Sequence, residues 1–419
     1  MSTTSEESFS TEIVFNRCLQ TDRLGWRTPE RTLFQDKYSV KVSTTVRAME
    51  SLRPAWRNWA HSPSTDFDYY LYRLAHDSKS VRPYIITVYK NGTPAGMLIG
   101  QIRTQRATAV VSSINISGPR MRVLEIEKGG RMGMPSQTVD MLLAQELLKT
   151  VRGGGVDSIC FERMPLQSGL FREMHRLAGP LIDQRVPHVF RYSELSLAFS
   201  SGTNQPSIFS PKLRHEIRRK SRNLERAHPG QIDFKCYSRP EEVDTALRDS
   251  LSVAATAWQC QLSQGLSDSP LTRATLRYLA ERGWLRVFVL YVRDIPRAFL
   301  VGQVYDRTFA CQYTGFDPSF ASFSVGSILT ARAFEQLAAS GVRSVDLGEG
   351  GEEHNRRLGC EEQEEGTVHV YSPTFRGLLL NLFFGSLQAV RIGGRGMRRT
   401  LHLEWMAKRW TRFRLHTSA

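Results

Sequence analysis

Two stretches of this chain repeat one another, and that repeat restricts the fold more than any short motif does. VYKNGTPAGMLIGQIR, Val88 to Arg103, aligns with LYVRDIPRAFLVGQVY, Leu290 to Tyr305, at an offset of 202, so that Pro94 falls on Pro296, Gly100 on Gly302 and Gln101 on Gln303. GVDSI from Gly155 answers GVRSV from Gly341 at an offset of 186, and RLAG at Arg176 answers RLG at Arg357. Matches in the same order describe a duplicated module whose second copy has the shorter intervening loop. A chain of 419 residues has room for two such modules and an extension.

Periodicity and breakers give the element order of each copy. In the second, QIDFKCYS is a strand, Glu241 to Leu262 and Pro270 to Glu281 are helices, and WLRVFVLYV, PRAFLVGQVYD and TFACQYTGF form a three-stranded meander. A helix from Ser324 to Ser340 then stops at Gly341, a residue suited to the left-handed position after a helix, and VRSVDLG is the last strand. The order is β-α-α-β-β-β-α-β. The first copy repeats it with KYSVKVS, two helices over Thr44 to Asp77, strands starting near Tyr84, Pro94 and Ala107, a helix from Ser136 to Arg152 and the strand VDSICFE. The expected fold class is α+β, two tandem modules, each a mixed, mostly antiparallel sheet flanked by helices. The expected division is 1–200, 201–373 and a tail, 374–419.

Composition narrows the function classes. The six cysteines form no CxxC pair and no zinc-ligand spacing, so reduced thiols and no metal are expected. The first thirty residues lack a basic segment followed by an apolar one, which argues against a secretory signal and for a cytoplasmic protein. The longest apolar run, Gly377 to Val390, is 14 residues long and interrupted by Asn381, Ser386 and Gln388, against the roughly 20 that span a bilayer. A net charge of +15 calls for an anionic partner. Residues 374–419 hold nine Lys/Arg against Glu404 alone, with Trp405, Trp410 and Phe413 interleaved, the pattern of a segment lying on an anionic membrane surface or packing its apolar side on the second module. Lys212 to Arg226, KLRHEIRRKSRNLER, carries seven basic residues against two acids and reads as a solvated helix.

The duplicated order resembles the GNAT superfamily of N-acetyltransferases. The second copy, GWLRVFVLYVRDIPRAFLVGQVYDRTFACQYTGF through DLGEGGEEHNRRLG, is similar to the CelD-like branch associated with bacterial cellulose and exopolysaccharide synthesis. The resemblance covers about Pro211 to Pro373 and is weak over the first copy, which it marks as a degenerate partner shaping the cleft. It implies an acyl-coenzyme A, acetyl-CoA above all, lying where the fourth and fifth strands part, and an N- or O-acetyltransferase acting on a sugar or glycan precursor, at the inner face of the membrane if the tail meets lipid.

A coenzyme A pyrophosphate needs backbone amides at a positive helix end. Ser324, Val325, Gly326 and Ser327 open the helix after the fourth strand and are the candidate cofactor loop, although this stretch has one glycine where the superfamily usually has Q/R-x-x-G-x-G/A. Gly129 to Pro135, GGRMGMP, is the competing loop in the first copy. For proton transfer the candidates are Asp346 and Glu349 closing the fifth strand, His354 on the next turn and Tyr313 on the fourth strand. Trp258 reads as a core residue or as a stacking platform for a sugar. Fem-type aminoacyltransferases also join two such modules and use aminoacyl-tRNA, the only reading that implies nucleic acid. A non-catalytic partner of a polysaccharide synthase is the other alternative, favoured by the missing glycine-rich consensus.

Overall fold

The structure is a computed structural model that describes residues 10–13, 37–76, 81–111, 114–179, 189–197, 209–256, 266–349, 355 and 358–400. The chain divides into two compact units, the first Met1–Ala60, Ser64–His188 and Gly366–Ala419, the second His61–Pro63 and Val189–Glu365. The described part of the expected tail, 374–400, falls in the first of these units.

In the first unit, strands β1 (Ser10–Ile13), β2 (Tyr38–Ser43), β3 (Val81–Lys90), β4 (Thr93–Val111), β5 (Ile114–Gly133) and β6 (Ser158–Pro165) lie in that order. All neighbours are antiparallel except β5 and β6, which are parallel. Helices α1 (Val46–Glu50), α2 (Arg53–Trp59) and α3 (Phe67–His76) cover one face around Trp56, Tyr70, Ile85 and Met97. Helices α4 (Gln137–Arg152) and α5 (Gly169–Ala178) cover the other around Ile86, Leu98, Leu124 and Leu143.

The second unit repeats the plan. Strand β7 (Val189–Ser196), helix α6 (Pro211–Ala227), β8 (Ile232–Tyr237), α7 (Val243–Ala254), α8 (Pro270–Glu281), β9 (Leu285–Val292), β10 (Ile295–Tyr305), β11 (Thr308–Phe316), α9 (Val325–Ala339) and β12 (Ser344–Glu349) follow in the chain. The sheet order is β7-β12-β11-β10-β9-β8, with β11 and β12 the parallel pair. Helices α6 and α9 pack on one face around Phe288, Leu300, Phe309 and Val345, and α7 packs on the other. Each unit is thus a mixed, mostly antiparallel sheet flanked by helices. Among the described residues Cys160, Cys236, Cys311 and Cys360 carry free thiols, and no helix is long and apolar enough to cross a membrane.

The repeat has a physical cause in the register. Gln101 stands opposite Glu125, which stands opposite Cys160, while Gln303 stands opposite Ala310, which stands opposite Asp346. Gly100 and Gly302 are retained because a Cβ on Gly100 would come within 2.8 Å of the Glu125 carbonyl oxygen, and one on Gly302 would collide with that of Ala310. Gly302→Ala is therefore expected to cost about 1–3 kcal/mol of stability, read by urea unfolding; an unchanged midpoint would contradict the close approach.

Three expectations are corrected. The first copy's third meander strand starts at Ile114, not near Ala107, which lies inside β4; RTQRATAVV alternates without any turn residue, so the strand runs on. The helix expected over Glu241–Leu262 begins as a short 3₁₀ turn, Pro240–Glu242, followed by α7, which ends at Ala254; residues 257–262 lie outside the described residues. In the tail, IGGRG does not break the helix: α10 (Phe375–Thr400) runs through it, each glycine costing about 1 kcal/mol without removing an amide as proline would.

Candidate functional site

In the second unit β11 and β12 pair only from Thr308–Ser344 to Ala310–Asp346. Beyond that point β11 runs on to Phe316 and β12 to Glu349, so the parallel pair opens into a splay. A bulge helps to turn β11: the register with β10 slips between Val301 and Gly302, leaving Gln312 with no partner residue opposite.

The segment after β11 delivers α9 to this opening. Asp317 caps a 3₁₀ turn, Pro318–Phe323, and Ser324 follows in the left-handed conformation, φ +57°, as the N-cap of α9. The Ser324 hydroxyl makes no capping bond, and the first turn of α9 contains no acid. Val325 is fully buried in the core, so its side chain is not available to a ligand. Gly326 has room, since a Cβ there would meet the Phe316 ring at an ordinary 3.4 Å. Ser324 and Ser327, with Lys220, Glu216 and Thr330, line a cleft of about 140 Å³ against α6. Lys220 is held there by donating to the Ser322 carbonyl at 2.7 Å.

Asp346 is buried and its Oδ1 accepts from the Gly348 amide at 2.7 Å. Its neighbour Val345 belongs to the α9-side core, so Asp346 faces the α7 side. Tyr313, half-buried and opposite Val301, faces the same way, because Leu300 belongs to the α9-side core. These two candidates therefore share a face on opposite lips of the splay. Burial, then the Asp346 charge, pushes the Cys311 thiol up to about 12, which leaves it protonated and unreactive at neutral pH. Glu349 is placed by its backbone, opposite Tyr192 on β7 after a slip in register. His354 and Trp258 lie outside the described residues.

A helix amide end with no acid in its first turn, beside two parallel strands that part, can accept an anionic group. Residues 211–356 match the acetyltransferase (GNAT) domain family. Several solved structures share a distant likeness with the chain. FemX is 8% identical with a TM-score of 0.47, the match covering 78% of this chain and 91% of that one. The C-terminal domain of a protein named as a lysylphosphatidylglycerol synthetase, from Agrobacterium fabrum, is 13% identical with a TM-score of 0.44, covering 80% and 93%. A tandem GNAT protein from the clavulanic acid biosynthesis pathway is 10% identical with a TM-score of 0.43, covering 80% and 99%. No curated protein sequence is significantly similar to this chain.

Outside the GNAT match, the competing loop of the first unit is committed to structure. Gly133 has φ +94° and a Cβ there would lie 2.8 Å from the Ala95 carbonyl oxygen. Arg131 ties Asp140 down at 2.6 Å within the first turn of α4. The first turn of that helix thus already carries a carboxylate, and the Ser136 hydroxyl accepts from its Val139 amide.

The sequence reading missed a second constellation, in the first unit. There β5 and β6 pair up to Ile126–Phe161 and then part. Glu125 accepts from Arg103 at 3.1 Å, Gln101 at 3.2 Å and Gln105 at 3.3 Å, and Glu127 pairs with Arg73 at 2.9 Å. The Glu162 carboxyl is raised, first by desolvation and then by Glu125 and Glu127, against Arg103 and Arg73. The signal lay in LEIEKGG, where acids alternate along a strand that passes through a glycine pair. Among the described residues no group of His, Cys, Asp and Glu has the arrangement of a metal site.

Proposed function

We propose that the second unit is an acyl-coenzyme A-dependent transferase, with acetyl-CoA as donor and a sugar or glycan precursor as acceptor. The observation that carries this reading is the amide end of α9, with no acid in its first turn and no side-chain cap, set beside the β11–β12 splay inside the GNAT match. The backbone amides of Val325 and Gly326 and the hydroxyls of Ser324 and Ser327 would hold the pyrophosphate, and Lys220 adds positive charge at the same cleft. Coenzyme A would supply the activated acyl thioester. Asp346 is the candidate base and Tyr313 the candidate donor to the departing sulfur. The CelD-like resemblance supplies the acceptor class.

The glycan reading suits a position on an anionic membrane. Phe375, Leu378, Leu379 and Leu382 form an exposed apolar stripe on α10, while Gly377 and Leu380 turn inward. A second reading, transfer from aminoacyl-tRNA, is favoured by one observation: exposed Lys212, Arg218, Arg219, Arg222 and Arg226 on α6 make no ion pair among the described residues, leaving a basic face for a phosphate backbone.

Titration calorimetry with acetyl-CoA on the full chain tests the first reading. The wild type is expected to bind, and Gly326→Trp to weaken binding tenfold or more by filling the approach to the amides. Gly133→Trp is unsuitable as a blocking variant, because its backbone conformation and the Ala95 carbonyl forbid a side chain. Absence of binding at millimolar acetyl-CoA would overturn the coenzyme A reading and move the test to aminoacyl-tRNA.

A further inference from the structure

Nine large apolar side chains are exposed among the described residues, and four of them, Phe375, Leu378, Leu379 and Leu382, lie together at the start of α10. The other five stand singly on α1, α8, β10, β11 and the residue after β5. Scattered apolar residues need no explanation, but a contiguous stripe marks a surface that something covers. Phe375 is 80% exposed and Leu382 69%. Their spacing, i, i+3, i+4 and i+7, is that of one helix face.

The helix cannot hide this stripe by rolling over, because its other face is already in use. Leu380 is buried among Ala107, Met121, Val123 and Tyr371, and Phe383 and Phe384 pack against the same cluster. The Phe383 ring comes so close to β5 that a Cβ on Gly118 would lie 2.8 Å from it, and a Cβ on Gly377 would collide with the Ser372 carbonyl. The entry to α10 is fixed as well: the Thr374 amide donates to Ser372 Oγ at 3.0 Å, and the Thr374 carbonyl accepts from the Leu378 amide at 2.9 Å. The first unit thus spends one face of α10 on its own core and leaves the opposite apolar face outside.

Charge decides what covers that face. The α10 sequence contains Arg376, Arg391, Arg395, Arg398 and Arg399 and no acid. Two copies meeting along α10 would bring all these arginines together with no carboxylate on either helix to pair with them, and like charges set side by side oppose association. A nucleic acid would take the arginines but leave the leucines in water. An anionic bilayer surface serves both, since its phosphates meet the arginines while the acyl chains beneath take the stripe. The helix has 26 residues, about 39 Å at 1.5 Å per residue, yet no helix among the described residues is apolar enough to cross a membrane, so α10 would lie along the interface. We propose that α10 docks the first unit on an anionic phospholipid surface, with Phe375, Leu378, Leu379 and Leu382 inserted at the boundary of headgroups and acyl chains. The proposal rests on the acyltransferase reading only for its purpose, which is to hold the enzyme where a lipid-linked acceptor is held.

The test is co-sedimentation of the full-length protein, and of the double variant Leu378→Ser with Leu382→Ser, with vesicles of mixed phosphatidylglycerol and phosphatidylcholine and with vesicles of phosphatidylcholine alone. The wild type is expected to bind the mixed vesicles and to bind phosphatidylcholine alone at least about tenfold more weakly. The double variant should keep the wild-type melting midpoint, because both leucines are exposed, and bind the mixed vesicles at least about tenfold more weakly than the wild type. A midpoint several degrees lower would mean that the stripe is packed within this protein, and would overturn the proposal. So would failure of the wild type to bind, equal binding by the two proteins, or equal binding to the two kinds of vesicle. A wild-type dimer in analytical ultracentrifugation that the double variant abolishes would assign the stripe to a second copy instead. If acetyl-CoA fails to bind while the vesicle pattern holds, the acyltransferase reading falls and the lipid-docking face stands.

Discussion

Replacing Asp317 by alanine is expected to destabilise the second unit by about 3–5 kcal/mol, the range for removing one partner of a buried ion pair. Asp317 is 8% exposed and every part of its carboxylate is engaged. Oδ1 accepts from the Ser319 amide at 2.9 Å and from its hydroxyl at 2.7 Å, and Oδ2 accepts from Arg297 at 2.6 Å. Arg297 lies over the Phe320 ring at 4.4 Å, and its Nε is already buried without a partner. Without Asp317 the guanidinium would be left uncompensated and the 3₁₀ turn would lose its cap. That turn sets the left-handed Ser324 and with it the amide end of α9. Acetyl-CoA affinity should therefore fall along with stability, and urea unfolding combined with calorimetry would read both. A loss under 1 kcal/mol would show that the turn holds itself.

The same residue carries a pH dependence of defined sign. Desolvation alone would raise the Asp317 carboxyl, but the hydrogen bonds from Ser319 and the Arg297 pair outweigh it and hold it below the ordinary carboxylate range. A group with a depressed folded pKa contributes its stability at pH above its unfolded value, about 3.9, and loses it as pH falls through the folded value. The gap between wild type and Asp317→Ala should be constant near neutrality and close only below about pH 4. Asp317→Asn keeps the shape without the charge and should fall between the two.

What could be read from sequence depended on punctuation. Asn91-Gly92 and the matching Arg293-Asp294 take positive φ in hairpin turns, so the meander was visible from one copy and confirmed by the other. Ser324 before α9 and Gly341 after it, φ +89°, were readable for the same reason. The hairpin between β4 and β5 lacked such a marker, and its position was misjudged. Strand β13 (Glu361–Tyr371), EEQEEGTVHVY, went unread because its acids conceal the buried Val368 and Val370. The candidate loop could be named because a helix start has a local signature. Glu125 and Glu162 could not, because their significance lies in which residues stand opposite them, and register between distant strands leaves no mark on a single sequence.

Trp56→Ala in the first unit is expected to cost about 3–5 kcal/mol. Trp56 is fully buried, packs edge-on to Phe67 at 5.0 Å and lies against Tyr70 at 5.5 Å. Its Nε1 donates to the Thr65 carbonyl at 2.7 Å, so truncation would also remove a buried hydrogen bond. The consequence reaches the acidic splay through α3. Phe67 and Tyr70 belong to the same helix as Arg73, Tyr70 donates to the Gly100 carbonyl at 2.7 Å, and Arg73 holds Glu127 at 2.9 Å. Loosening α3 should draw Arg73 away, and its charge normally opposes the upward push on Glu162. The Glu162 carboxyl is then expected to titrate higher in Trp56→Ala than in the wild type, as followed by carboxyl NMR. Trp56→Phe, which keeps most of the apolar volume, should recover part of the stability. An unchanged Glu162 titration in a protein that has lost several kcal/mol would mean that the helical layer and the acidic splay are held independently, with β4 and β5 alone fixing the carboxylates.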